Sequence, residues 1–326
     1  MIAWQGLRMG DVHQQIREHG HREARHHAAD RVVVDSAFRV MVDDTLQASF
    51  LYSGFCLLAL PHQRVYATDP QTGTKMPTKF GRDWGQNRLE IEPGYLPGRT
   101  NQQLWDVPYG SLARLVLLYL QTEAVKSQSP RIEVGPSMRA WLHRLGVSTG
   151  GKSYRDLKKH MLRFNAARMT FLWPEDAGKL GFQRVNLIRS GVLVPDGGKD
   201  AEPELQGRLW ADEVELDPDF YTALKKHPVP VQEAAVRELN NSSLALDIYV
   251  WLAYRLHALQ EPMRVSWRAL HEQFGSTYRD LRMFRRRFKR PLELALSVYE
   301  DANVFPDDDR GLILYPSRPP VPYLGA

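Results

Sequence analysis

A single cysteine, Cys56, in 326 residues excludes an intrachain disulfide and suits a reducing compartment. Set in the apolar run Phe55 to Leu60 with no activating base nearby, it reads as a buried structural thiol. Long apolar runs are also missing. The longest near an expected helix, Leu115 to Leu120, falls far short of the ~20 residues that cross a bilayer. No signal peptide is evident, so the expectation is a cytoplasmic chain without a membrane partner. Metal-ligand spacing is lacking as well. His13, His19, His21, His26 and His27 crowd one segment, but no Cys joins them and no ordered element fixes their spacing. No nucleophile–base or paired-carboxylate constellation stands out. The chain is therefore not read as an enzyme, and neither a metal nor another cofactor is expected.

The composition is that of an ordinary globular chain, with 43% apolar and 25% charged residues. The length favours two domains. The net charge of +5 understates the positive segments. Asp196 to Asp219 holds nine acidic residues against two basic ones, and Asp307-Asp308-Asp309 adds more. The acidic loop expected over Gly191 to Gly207 reads as a solvated face.

Against that background one stretch dominates. Thr277 to Arg290, TYRDLRMFRRRFKR, contains seven Arg or Lys among fourteen residues. At 3.6 residues per turn Leu281, Phe284 and Phe288 share one face, and Arg279, Arg282, Arg286 and Lys289 the other. A buried Leu-Phe-Phe stripe backed by guanidiniums suits an extended anion. Arginine grips phosphate and pairs two-pronged with guanine in a major groove. The competing reading is a solvated basic face.

An internal repeat favours the first reading. Ser153-Tyr154-Arg155-Asp156-Leu157 returns as Thr277-Tyr278-Arg279-Asp280-Leu281, and Arg163-Phe164 as Arg287-Phe288. Upstream, Arg139-Ala140-Trp141 matches Arg268-Ala269-Leu270. Each copy reads as apolar helix, short extended stretch, short helix, turn and basic amphipathic helix. That is helix-turn-helix order with the last helix as reader. In the first copy Leu157, Met161 and Phe164 are expected inside, with Arg155, Lys158, Lys159 and Arg163 outside. Met169 to Trp173 and Phe182 to Ile188 read as its wing. Asn303 to Phe305 and Leu312 to Tyr315 read as the wing of the second.

Gly146 to Ser153 also fits the phosphate-loop pattern GxxxxGK[ST]. That loop requires a buried strand before its first glycine, and an amphipathic helix is expected there instead. A DNA phosphate on Lys152 and the amides opening the next helix is the simpler use.

The expected fold is mainly α with small β wings (α+β), two tandem winged-helix domains related by internal duplication. The expected layout is a polar His/Arg-rich arm with little to bury over residues 1–44, and an N-terminal winged-helix domain over 45–226. A C-terminal winged-helix domain spans 227–315, and a Pro-rich tail 316–326. Leu46 to Leu60 is expected as a buried helix, and Leu112 to Lys126 as the central helix of the first domain. DNA contacts are expected from Lys152, Arg155, Lys158, Lys159 and Arg163, and from Tyr278, Arg279, Arg282, Arg285, Arg286 and Lys289.

Several blocks carry a family likeness. Gly54 to His62 (GFCLLALPH), Pro108 to Leu115 (PYGSLARL) and Thr122 to Ser129 (TEAVKSQS) resemble RepA-type plasmid replication initiators. Leu244 to Leu252 and Phe284 to Phe288 are similar to the same group, while residues 1–44 fall outside it. The resemblance implies an initiator that binds double-stranded direct repeats (iterons) at a plasmid origin and opens or bends them. It also implies contacts with the host replicative helicase and initiator proteins, and homodimers in equilibrium with monomers that control copy number. A winged-helix repressor without initiator activity remains the alternative, and a phosphate-loop ATPase or nicking enzyme a third reading.

Overall fold

Apolar residues spaced one helical turn apart open the fold. The computed structural model describes residues 11–96, 104–134, 136–148, 150–175, 179–193, 210–275, 278–307 and 310–321. Thr149, most of the acidic loop, Ser276-Thr277, Asp308-Asp309 and the end of the tail lie outside them. Among the described residues there are twelve helices and fourteen strands, in small antiparallel sheets, a mixed α+β architecture. The chain divides into two units: residues 1–59 with 229–326, and residues 60–228.

The first unit begins with α1 (Asp11–His19), α2 (His21–His27) and α3 (Arg31–Met41). Asp30 caps α3, its carboxylate accepting from the Val32 amide at 3.0 Å. These helices correct the expectation of an arm with little to bury. Val12, Ile16, Ala24, Val33, Val34 and Ala37 form a buried cluster, and Phe38, Met41 and Leu294 pack against it. α3 alone shows helical spacing, with Val33, Val34, Ala37, Phe38 and Met41 on one face; α1 and α2 supply too few apolar residues to do so, and the three together make a core with Leu294. Residues 11–44 are thus neither a separate arm nor a lead into a domain starting at 45.

The helix expected over Leu46 to Leu60 is instead strand β1 (Ala48–Tyr52) and one short helix, α4 (Ser53–Leu57). Burial alternates along β1, which pairs with a strand nearly two hundred residues away, a partner no local window reveals.

The second unit holds β2 (Tyr66–Thr68), β3 (Lys75–Pro77), β4 (Phe80–Trp84), β5 (Asn87–Glu92), α5 (Gly110–Ser127), β6 (Arg131–Glu133) and α6 (Pro136–Arg144). It continues through α7 (Gly151–Ala166), β7 (Arg168–Pro174), β8 (Leu180–Val185), β9 (Ile188–Leu193), β10 (Trp210–Leu216) and α8 (Pro218–Lys226). Helix α5 is central, with Ala113 through Thr122 all buried. Gly146, at φ 70°, closes α6, and the Val147 amide donates back to the Leu142 carbonyl at 3.0 Å. Here the structure departs from the expected wing. β7 and β8 join β4 and β5 in a four-stranded sheet, order β4-β5-β7-β8. The hairpin that pairs with β6 is β9–β10, in the order β6-β10-β9.

The first unit resumes with β11 (Pro228–Gln232), the partner of β1, then α9 (Glu233–Leu239) and α10 (Ser243–Leu256). β12 (Met263–Ser266), α11 (Trp267–Phe274), α12 (Leu281–Ser297), β13 (Val304–Asp307) and β14 (Gly311–Leu314) complete it. The sheet order is β12-β14-β13. Gly311, at φ 152°, lets β14 lie against β12; a Cβ there would meet the Val265 carbonyl oxygen at 2.0 Å.

Candidate nucleic-acid interface

Helix α12 starts where an aspartate can hold its first amides. The Asp280 carboxylate accepts from the Met283 amide at 2.7 Å. Tyr278 to Asp280 of the second repeat are therefore turn and cap, whereas their counterparts in the first repeat lie inside α7. This shifts the buried stripe. Leu281 is 39% exposed, and the inward face is Phe284, Phe288 and Leu292, each fully buried. Leu157, its counterpart, is buried, so the repeat does not match there; Phe164 and Phe288 do match in being fully buried.

Aromatic packing fixes the helix on its support. Phe288 lies 5.0 Å from Phe284, 5.7 Å from Phe274 and 5.9 Å edge-on from Trp267. Tyr278, half-buried, sits 5.8 Å from Phe284. Pro291 lies within α12 without ending it.

The outward face carries the charge. Arg279, Arg282, Arg286 and Arg287 are exposed, and among the described residues none of them meets a carboxylate. Arg285 lies over the Trp267 ring at 5.3 Å, a cation–π contact. Lys289 reaches Glu293 at 3.8 Å, and Arg290 binds Asp30 at 2.8 Å. Burial raises the Glu293 carboxyl above its ordinary value, against the pull of Lys289.

In the second unit α7 presents Lys152, Arg155 and Lys159 to solvent, with Lys158 half-buried. Lys159 lies 3.9 Å from Asp156. Leu157, Met161 and Phe164 face inward. Arg163 does not face out. It is 8% exposed, stacks on the Tyr109 ring at 4.8 Å and points to Asp106 at 3.5 Å, which Arg64 also holds at 2.9 Å. Placed one turn beyond Lys159, it was expected on the outer face. The aromatic slot beside Tyr109 draws it in instead. His160, edge-on to Tyr109 at 5.4 Å, is buried too. Burial, aided by Arg163 and Lys159, pulls its pKa down to about 3.

Helix α6, not a strand, precedes Gly146, so the phosphate-loop pattern lacks the setting that its mechanism needs. The histidines of the first helices have structural partners. His13 Nε2 meets the Ser297 carbonyl at 2.9 Å, and His21 bonds Asp35 at 2.8 Å while stacking on Phe38. Cys56 is buried, which pushes its thiol pKa up. No helix of the described residues is long and apolar enough to cross a membrane.

Residues 107–268 match the family model described as plasmid encoded RepA protein. That segment is of RepA type. The RepA-type segment runs from just before α5 to the start of α11, so it contains α7 and stops short of α12. It supports a role in replication initiation, and with that a DNA partner. Two solved structures of domains 2 and 3 of RctB resemble this chain. A selenomethionine derivative aligns at 12% identity over 74% of this chain and 83% of its own, TM-score 0.44. The second aligns at 11% identity over 80% and 94%, TM-score 0.43. Comparison with curated proteins gives no match.

Proposed function

We propose that the chain is a plasmid replication initiator that binds repeated sequences in an origin through two winged-helix modules, with α7 and α12 as reading helices. In this reading it opens the origin, helps load the host replication machinery and controls plasmid copy number, without catalytic chemistry of its own. The observation that carries the reading is the outward face of α12. Arg282, Arg286 and Arg287, which meet no carboxylate among the described residues, stand on a helix locked by buried phenylalanines; with Arg279 just before its cap they form a cationic rod that suits a major groove.

The order of elements supports the winged-helix part. In the first unit α10, β12, α11 and α12 are followed by the β13–β14 hairpin, which returns to β12. In the second, α5, β6, α6 and α7 come in the same order, and the β9–β10 hairpin returns to β6. Lys152, Arg155, Lys158 and Lys159 are the proposed contacts of α7. Arg282, Arg285 and Arg286 are those of α12, with Lys289 at the edge, and Tyr278 and Arg279 join them from the turn before the helix. Arg163 is removed from the set by its burial.

Footprinting on the DNA flanking the protein's own gene tests the proposal. A ladder of evenly spaced protections is expected; a single isolated site or none refutes binding to repeats. A transformation assay separates an initiator from a repressor, because only an initiator sustains a plasmid whose sole origin is the cognate one. If Arg282 reads a guanine, Arg282→Ala costs ~1–3 kcal/mol at one base position. A uniform loss on every sequence would make it a phosphate contact.

A further inference from the structure

Among the described residues, the guanidiniums of α12 that meet no carboxylate end at Arg287. One turn after Arg286, about 6 Å along the axis, Arg290 gives its Nε to Asp30 at 2.8 Å. The same carboxylate caps α3 through the Val32 amide. Leu294, one turn further, packs into the cluster built by α1–α3. One ion pair and one apolar contact thus fasten the first helices to the reading helix, all inside one unit.

This attachment brings more positive charge alongside α12. Arg31 follows Asp30 directly and is exposed, as is Arg22 on α2. Among the described residues neither Arg22 nor Arg31 meets a carboxylate. The other arginines of these helices are engaged: Arg17 with Glu300, Arg25 with Asp35, and Arg39 with Glu238 at 2.9 Å. Glu23 is engaged by His27 at 2.8 Å. Arg31 therefore sits beside the point where α12's own row is neutralised, and Arg22 lies on α2, which packs on α3.

Building on the DNA-binding reading above, we propose that α1–α3 form a second phosphate-binding surface. Arg22 and Arg31 grip the sugar–phosphate backbone of the duplex whose groove α12 enters. A phosphate contact of this kind adds affinity and register but reads no bases. Each phosphate neutralised adds about 0.9 to the slope of log K against log salt concentration.

The test uses the full chain and a fluorescein-labelled duplex of mixed sequence, with binding followed by anisotropy from roughly 50 to 200 mM salt. The double variant Arg22→Gln/Arg31→Gln is expected to make the slope shallower by about 1.8. Over a fourfold change in salt, that is roughly a tenfold difference in how far affinity falls. Arg17→Gln, which removes an arginine already paired with Glu300, is expected to leave the slope unchanged. Circular dichroism and the melting curve of the double variant should match those of the parent, since neither side chain is buried. A parent slope in the double variant overturns the proposal while leaving α12 as a DNA contact. If the parent itself does not bind the duplex, the DNA-binding reading falls and this inference with it. Arg282→Ala/Arg286→Ala marks the difference, because it is expected to weaken binding with α1–α3 intact.

Discussion

His160 should make the second unit sensitive to mild acid. Its imidazole is buried against Tyr109, with Arg163 and Lys159 nearby, and its pKa falls from 6.5 to about 3. In the unfolded chain the ring protonates as pH drops through 6.5, whereas in the fold it stays neutral down to about 3. The unfolded state thus binds the extra proton, and stability falls as pH falls. The contribution is fully present above pH 6.5 and is lost progressively toward pH 3. Each pH unit below the unfolded pKa costs about 1.36 kcal/mol, so moving from roughly pH 7.5 to 5 costs about 2 kcal/mol from this ring alone. Urea titrations of the parent and of His160→Gln at both pH values isolate that share. His13, which burial also shifts downward, remains in both proteins. The parent should lose about 2 kcal/mol more than the variant, and the His160 ring signals in NMR should stay those of the neutral form near pH 5. An equal acid loss in both proteins, or a ring that titrates near pH 6.5, would refute the reasoning.

Phe288→Ala removes a fully buried ring that touches Phe284, Phe274 and Trp267, and should cost about 3–5 kcal/mol in denaturant melts. Asp280→Ala removes the cap of α12 and should cost about 1 kcal/mol, read as earlier amide exchange in the first turn of that helix. Arg163→Ala should leave the salt dependence of DNA binding unchanged while destabilising the fold by about 2–3 kcal/mol. That is less than for a carboxylate left alone, because Arg64 still holds Asp106. A shallower salt slope in that variant would return Arg163 to the DNA face.

The parts of this fold that are legible in sequence are those whose partners lie close along the chain. Helix α5 announces itself by apolar residues around nearly its whole circumference, and α12 by two phenylalanines four residues apart under a row of arginines. Gly146 stops α6 for a local reason, its left-handed backbone. What stayed hidden depends on distant partners. β1 looks like part of an apolar helix until β11 arrives to pair with it. α1 and α2 look too polar to fold until their few apolar residues are counted as one core with the apolar face of α3 and Leu294. The first hairpin after α7 follows the expected order, but only the sheet shows that it belongs with β4 and β5. In the candidate site, Arg282 and Arg286 point outward as helical spacing requires. Arg163 turns inward because Tyr109 and Asp106, more than fifty residues earlier, make a slot for it. Leu281 comes out exposed because Asp280 ends the preceding turn and starts the helix there.

The first unit closes on two separated stretches of chain, with residues 60–228 threaded between them. A ribosome therefore finishes the inner unit while Val33, Val34 and Ala37 still wait for Leu294. At about 5–20 residues per second, the closing stretch follows several seconds later. During that interval the earliest helices are a natural client for a chaperone, and fragments that stop near residue 228 leave them permanently uncovered.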